Sequence, residues 1–390
     1  MRSFVSDRAK DIKPSGIRKF FDIVSERKDV ISLGVGEPDF VTPWEIRDAA
    51  ITAIKKGHTQ YTSNKGLPKL RKEISEYLSH SFGVDFLADD MIITVGASEA
   101  IDLALRATVN PGDEVLIPDP SYVSYKPCVE LLGGVAVPVP CSGENGFKLT
   151  AEALESVISK KTKILIFPYP NNPTGGIMEK EDIEKILPVI IKHDLLVISD
   201  EIYAELTYGQ EHYSIAKADG MKERVVLISG FSKAFAMTGW RIGFVCAKGE
   251  LLATMLKIHQ YSIICAPIFS QYAALEGLLR GRADGYEAVC EMRLEYDKRR
   301  KFMIKVFNDM GLTCFEPKGA FYVFPCVKST GLNGEQFATK LLEEKQVAVV
   351  PGDAFGEFGR DYVRCSYAYS MKNLIAATDK IKEFVEGLKK

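Results

Sequence analysis

Three segments follow one another in the middle of the chain: Lys163-Ile-Leu-Ile-Phe167, Glu179-Lys-Glu-Asp-Ile-Glu-Lys-Ile-Leu-Pro-Val-Ile-Ile-Lys192 and Leu195-Leu-Val-Ile-Ser199. The first and third are short apolar runs, the pattern of strands buried on both faces. The second carries its apolar residues at helical spacing. Strand, amphipathic helix, strand in that order predicts a largely parallel sheet sandwiched between helices, an α/β fold.

Outward from that core, residues 91–95, 114–117, 225–229 and 242–246 read as further buried strands. Residues 98–107 and 150–159 read as amphipathic helices. After about residue 249 the rhythm changes. A helical stretch over 251–280 is broken at Cys265-Ala266-Pro267, and another spans 286–310. Strand-like segments at 320–324, 347–350 and 362–367 follow, with helices at 335–344 and from Met371 onward. This predicts a smaller α+β domain over 286–390, a large domain over 46–285, and an N-terminal arm over 1–45 that packs with the small domain.

A chain of 390 residues, 46% hydrophobic and 26% charged, has the composition of a globular protein with a sizeable core. Lys+Arg 50 against Asp+Glu 52 leaves a net charge of −2, which offers no general attraction to nucleic acid or to an acidic membrane. No segment approaches the ~20 apolar residues of a membrane span, and the first residues lack a signal-peptide core. The eight cysteines form no Cys-x-x-Cys and do not group with the five histidines. No metal site is expected; reduced thiols of a cytoplasmic protein are.

Ligands of open parallel sheets sit beyond the C-terminal ends of the strands. After 91–95 comes Gly96-Ala97-Ser98-Glu99, either an anion site of free backbone N–H groups or a tight turn with a serine cap. After 195–199 comes Asp200, a carboxylate that needs a partner if buried, or else a loop-capping aspartate. After 225–229 comes Gly230-Phe-Ser-Lys-Ala-Phe-Ala-Met-Thr-Gly-Trp-Arg241. Lys233 there is either a surface lysine or an amine desolvated among Phe, Ala, Met and Trp, as a Schiff-base lysine requires. Each ordinary explanation holds alone. Together, an anion site, a carboxylate and a desolvated amine at one sheet edge fit a cofactor with a phosphate, a basic ring nitrogen and an aldehyde: pyridoxal 5′-phosphate (PLP). Gly34-Val35-Gly36 begins like a dinucleotide fingerprint, but Asp39 takes the third glycine position and Pro38 blocks the helix.

These segments resemble the class I/II aminotransferases, the fold-type I PLP enzymes, over essentially the whole chain. The resemblance rests on Ser32-Leu-Gly-Val-Gly-Glu-Pro-Asp-Phe40, Tyr61-Thr-Ser-Asn-Lys-Gly-Leu67, Asn171-Asn-Pro-Thr-Gly175 and Ser199-Asp-Glu-Ile-Tyr203. It continues through Ser232-Lys233, Met237-Thr-Gly-Trp-Arg241, Lys318-Gly-Ala-Phe-Tyr322, Val350-Pro-Gly352 and Tyr362-Val-Arg-Cys-Ser-Tyr367. It implies that Lys233 is the Schiff-base lysine, Asp200 the partner of the pyridine nitrogen, and Tyr203 with Asn172 the partners of the ring phenolate oxygen. Tyr122 takes the place of the stacked aromatic ring. Gly96, Ala97 and Arg241 stand at cofactor-phosphate positions, Ser98 and Ser232 are further cofactor-binding residues, and Tyr61 matches a phosphate ligand from a second subunit, which implies a homodimer. Arg364, with the Gly36 backbone and Asn172, matches the substrate-carboxylate site. The implied activity is ping-pong transamination between an amino acid and a 2-oxoacid.

Relatives that use aspartate carry a lysine where Ser98 stands here, or an arginine where Tyr261 aligns, so strict aspartate specificity is not implied. Ser15-Gly-Ile-Arg-Lys-Phe20 and Gly96-Ala-Ser-Glu-Ala-Ile-Asp102 are most similar to aromatic and N-acetyl-diaminopimelate aminotransferases. The expected enzyme acts on an aromatic or long-chain amino acid with 2-oxoglutarate. The alternatives are an aspartate aminotransferase and a PLP-dependent C–S β-lyase, which would share Lys233, Asp200, Tyr203 and Arg364. A cofactor-binding DNA regulator has no room in the N-terminal arm for a separate winged helix.

Overall fold

The computed structural model describes residues 4–14 and 29–388; the Ser15–Phe20 segment lies outside the described residues. After β1 (Ile31–Ser32), seven strands build the central sheet: β2 (Met91–Thr94), β3 (Glu114–Asp119), β4 (Val135–Pro140), β5 (Thr162–Phe167), β6 (Leu196–Asp200), β7 (Val225–Gly230) and β8 (Gly243–Cys246). Their order is β2-β8-β7-β6-β5-β3-β4. Only β8 runs against the rest, pairing antiparallel with β2 and β7. The fold is α/β with a mostly parallel sheet, as the alternation of segments predicts.

Residues one apart on a strand point to opposite faces, and both faces are covered. Ile92, Ile164, Ile198, Val226 and Val245 pack on one side, with helix Gly96–Thr108. Ile93, Leu165, Val197, Leu227 and Phe244 pack on the other. Such side chains stabilise the fold by about 1.5–3 kcal/mol each when fully buried, which is why the strands read as unbroken apolar runs. Strand β4, Val-Ala-Val-Pro-Val-Pro, was not among the expected strands because prolines argue against one. It sits at the sheet edge, pairing with β3 alone, where missing N–H groups are tolerated.

A second apolar core gathers Phe307, Phe337, Leu341 and Phe384 from helices Glu287–Asp309, Gly334–Lys345 and Met371–Leu388. Around it lie β9 (Tyr322–Val323), β10 (Val347–Ala348), β11 (Val350–Pro351) and β12 (Val363–Ser366). Residues 347–350, read as one strand, divide. β10 pairs in parallel with β1, whereas β11 joins the antiparallel order β11-β12-β9. Leu33, Tyr203 and Leu206 also enter this core, so it anchors the segments that follow β1 and β6. The arm residues divide too. β1 lies on β10, but helix Asp7–Asp11 lies against helix Tyr125–Leu131, where Arg8 Nη1 donates to Leu132 O at 3.1 Å.

The long helical stretch after residue 249 is two helices, Gly249–Ser262 and Ile268–Asp284, parted by Ile264 at φ 71° and by Pro267. All eight cysteines are free; Cys141, Cys246, Cys314 and Cys365 are buried and the other four half-buried. Among the described residues no helix is long and apolar enough to cross a membrane.

Candidate active site

A cleft of about 940 Å³ opens at the edge where the parallel strands end. The antiparallel β8 begins at the edge where its neighbours finish, which brings Arg241, two residues before it, to the same place. Ala97, Ser98, Tyr122, Asn172, Asp200 and Tyr203 line the cleft. Ser232, Lys233 and Arg241 complete that edge, and Gly36, from the segment after β1, and Arg364, on β12, face it.

At the end of β2 the chain turns into a helix through Gly96 at φ 74°, a conformation that favours glycine. A Cβ there would lie 2.6 Å from Arg241 Nη2, so Gly96 sits beneath the guanidinium rather than on the cleft wall. The cap position is Val95, not Ser98, and no side chain caps the helix. The backbone N–H groups of its first turn are left for an anion. Glu99 folds back so that its Oε2 accepts from Val95 N at 2.5 Å, while Oε1 meets the buried His259 at 2.7 Å. Arg241 spends one hydrogen bond on Thr238 O, at 3.0 Å.

Asp200, at the end of β6, is buried, and Oδ2 accepts a hydrogen bond from Tyr125 OH at 2.8 Å. Burial pushes its carboxyl up to about 6, against the downward pull of the Tyr125 hydroxyl and the Ile202 N–H. Beyond β7, Lys233 Nζ donates to Gly36 O at 2.6 Å and lies 5.6 Å from the ring centroids of Tyr203 and Phe321. Burial holds the amine down at about 8; Glu37 opposes this and Arg364 adds to it. Among the described residues neither Asp200 nor Lys233 has an ion-pair partner within 4.0 Å.

Arg364, on β12, is buried and meets only neutral acceptors: Nη1 donates to Asn172 Oδ1 at 2.8 Å and Nη2 to Gly34 O at 2.5 Å. Its guanidinium carbon stacks 4.5 Å from the Tyr322 ring and 4.8 Å from Phe355, and its buried Nε has no partner. A guanidinium desolvated this far calls for a carboxylate. Gly36 is glycine for space, because a Cβ would meet Tyr322 OH at 2.5 Å. Tyr203 and Tyr322 share a hydrogen bond of 2.9 Å. Tyr61 stands apart, outside the cleft and 77% exposed.

Sequence reasoning missed Tyr125, Tyr322, Glu37, Ile12 and Lys13 as members of the site. Tyr125 had a signal. It lies three residues past Tyr122, and the two rings meet edge to face at 5.5 Å. The others reach the cleft only through tertiary packing.

A sheet edge that carries a desolvated amine and a buried carboxylate, faced by a buried guanidinium, suits an enzyme of amine and carboxylate chemistry. The chain belongs to the class I and II aminotransferases, whose family model matches residues 28–381. It is 52% identical over 386 residues to the putative aminotransferase YugH of Bacillus subtilis, covering 99% of both chains. It is 47% identical to an aspartate aminotransferase of Pyrococcus abyssi, again over 99% of both. The solved structure of an aromatic aminotransferase from Pyrococcus horikoshii superposes with a TM-score of 0.90 at 44% identity, covering 96% of this chain and 99% of that one.

Proposed function

We propose that this aminotransferase uses PLP to move the amino group of an aromatic or long-chain L-amino acid, possible donors including N-acetyl-diaminopimelate, to a 2-oxoacid such as 2-oxoglutarate, in two ping-pong half-reactions. One observation carries the reading: the half-buried Lys233 amine and the buried Asp200 carboxylate stand at one sheet edge, and among the described residues neither has an ion-pair partner. Both are costly to hold there unless a ligand satisfies them.

The residues fit the cofactor. Asp200 lacks a cation, and a protonated ring nitrogen is one. The Gly96–Ala97 turn under Arg241 suits a phosphate dianion, with Ser98 and Ser232 adding hydroxyls. Bound there, PLP supplies an aldehyde for amine exchange and a ring that takes up the electrons released at the substrate Cα. Asp200 holds the proton on the ring nitrogen, and Tyr203 OH and the Asn172 amide serve the phenolate oxygen. Tyr122, in the cleft wall, would stack on the ring. Arg364 orients the α-carboxylate with its planar fork, aided by Asn172 and the Gly36 backbone. Lys233, as a free amine held near 8 by burial, is suited to take a proton from Cα and return it elsewhere.

The exposed Tyr61 serves as a phosphate ligand to a second copy of the chain, so the enzyme is a homodimer. The eight free thiols suit a cytoplasmic location. An aspartate donor is the second reading, favoured by the name of the Pyrococcus abyssi relative. Against it, Ser98 puts a neutral hydroxyl in the cleft and Tyr261 is 89% exposed.

The test is to load the full chain with PLP, reduce with borohydride and digest for mass spectrometry. A pyridoxyl adduct on Lys233 is expected, and its absence there refutes the assignment. Glutamate formation from 2-oxoglutarate is then followed across an amino-acid panel. Far faster glutamate formation from aspartate than from tyrosine, phenylalanine or N-acetyl-diaminopimelate overturns the donor class. Pyruvate and ammonia released from cystathionine without an acceptor would instead identify the lyase.

A further inference from the structure

We infer that Lys13 is the specificity residue for the tail of the acceptor, holding the second carboxylate of a dicarboxylic 2-oxoacid such as 2-oxoglutarate. The inference rests on the transaminase reading and adds to it a residue for the far end of the substrate.

Four cations line the cleft: Lys13, Lys233, Arg241 and Arg364. Three are engaged where they stand. Lys233 donates to Gly36 O, Arg241 to Thr238 O, and Arg364 to Asn172 and Gly34. Their chemistry is also spoken for, by the aldehyde, the phosphate and the α-carboxylate. Lys13 has neither a hydrogen bond nor an ion pair among the described residues. The cleft carboxylates do not compensate it: Asp200 is buried beneath Tyr125, and Glu37 Oε2 accepts from Thr238 Oγ1 at 3.0 Å.

Its position is built. Ser6 caps helix Asp7–Asp11, its side chain accepting from Ala9 N. That helix lies on helix Tyr125–Leu131, tied at the far end by Arg8 to Leu132 O. The contact delivers Ile12 and Lys13 to the cleft, which Ile101, Pro127 and Cys128 also line. These neutral neighbours suit the methylenes of a substrate tail, and an ammonium beside them suits its terminal carboxylate. A lysine is a point charge on a flexible stem, which follows tails of different length better than a rigid fork does.

The residue is exposed, so the effect is that of a partly solvated pair, roughly two- to fivefold in kcat/KM. The experiment compares two acceptors that differ only in the terminal carboxylate, 2-oxoglutarate and 2-oxopentanoate, with one amino donor and the PLP-loaded full chain. The ratio of their kcat/KM values is expected to fall by roughly that factor in Lys13→Met and to recover in Lys13→Arg. An unchanged ratio in Lys13→Met, with both acceptors still turned over, overturns the Lys13 assignment and leaves the transaminase reading standing. A wild type that binds PLP but aminates neither acceptor refutes the transaminase reading, and the assignment falls with it.

Discussion

Replacing Tyr125 by phenylalanine removes a single oxygen and tests how Asp200 is held ready. Burial raises the Asp200 carboxyl from 3.8 to about 6. Between those values the unfolded chain is ionised and the folded chain is not. Stability therefore falls as pH rises through this window, and the penalty is complete above the folded midpoint. For a shift of this size the penalty is about 3 kcal/mol. The Tyr125 hydroxyl, 2.8 Å from Oδ2, works in the opposite direction by donating to the ionised form. A hydrogen bond to a charged group contributes about 1.5–3 kcal/mol and one to the protonated acid about 1, so Tyr125→Phe should move the Asp200 midpoint up by roughly half to one and a half pH units. Urea unfolding of the apoenzyme at about pH 5 and about pH 9 measures it. The variant should lose about 1 kcal/mol at the lower pH, where Asp200 is protonated in both proteins, and the larger amount at the higher. Affinity for PLP should weaken with acid at a higher pH than in wild type. Equal losses of stability at both pH values would refute the argument, because the hydroxyl would then be packing and not electrostatics.

Lys233→Ala should still bind PLP but give no borohydride adduct and lose at least about three orders of magnitude in turnover, read in single-turnover assays. Gly96→Ala places a Cβ 2.6 Å from Arg241 Nη2 at φ 74°, and should weaken PLP binding roughly tenfold by fluorescence titration. Arg364→Lys keeps the charge but loses the fork, and kcat/KM for amino donors should drop roughly a hundredfold. Arg299 reaches both Asp39 oxygens, at 2.9 and 2.8 Å, and ties the segment after β1 to helix Glu287–Asp309. Arg299→Ala should cost about 1–2 kcal/mol in urea unfolding, since the hydrogen bonds of a buried guanidinium are lost while the exposed Asp39 keeps the Tyr296 hydroxyl.

Lys233 and Asp200 were legible in the sequence because Asp200 closes a buried strand and Lys233 stands three residues past another, and strand ends of a parallel sheet converge without help from the rest of the fold. Asn172 was legible only through the resemblance to aminotransferases, and so was Arg241. Its place depends on β8 running antiparallel, and no local pattern around residues 242–246 distinguishes that direction from the other. Strand β4 escaped for a similar reason. Proline at positions 138 and 140 is informative only once the strand is known to lie at an edge. The serine cap that is the ordinary alternative at Ser98 does not form, because the helix starts at Gly96, with Val95 at its cap position.

The residues that sequence reasoning missed share a geometry. Tyr322 comes from a two-residue strand of the second core, Glu37 from the segment after β1, and Lys13 from an arm held by one short helix. Each approaches the sheet edge from outside the sheet, so its part in the site depends on how separate elements pack and not on any periodicity of its own segment. The same packing explains the electrostatics. The chain as a whole carries −2, yet the cleft collects four cations against two carboxylates. A narrow cleft with apolar walls focuses that local excess. An anionic cofactor and a dicarboxylic acceptor are therefore attracted by the cleft and not by the protein's overall charge, and that attraction comes largely from side chains whose neighbours in sequence give no hint of it.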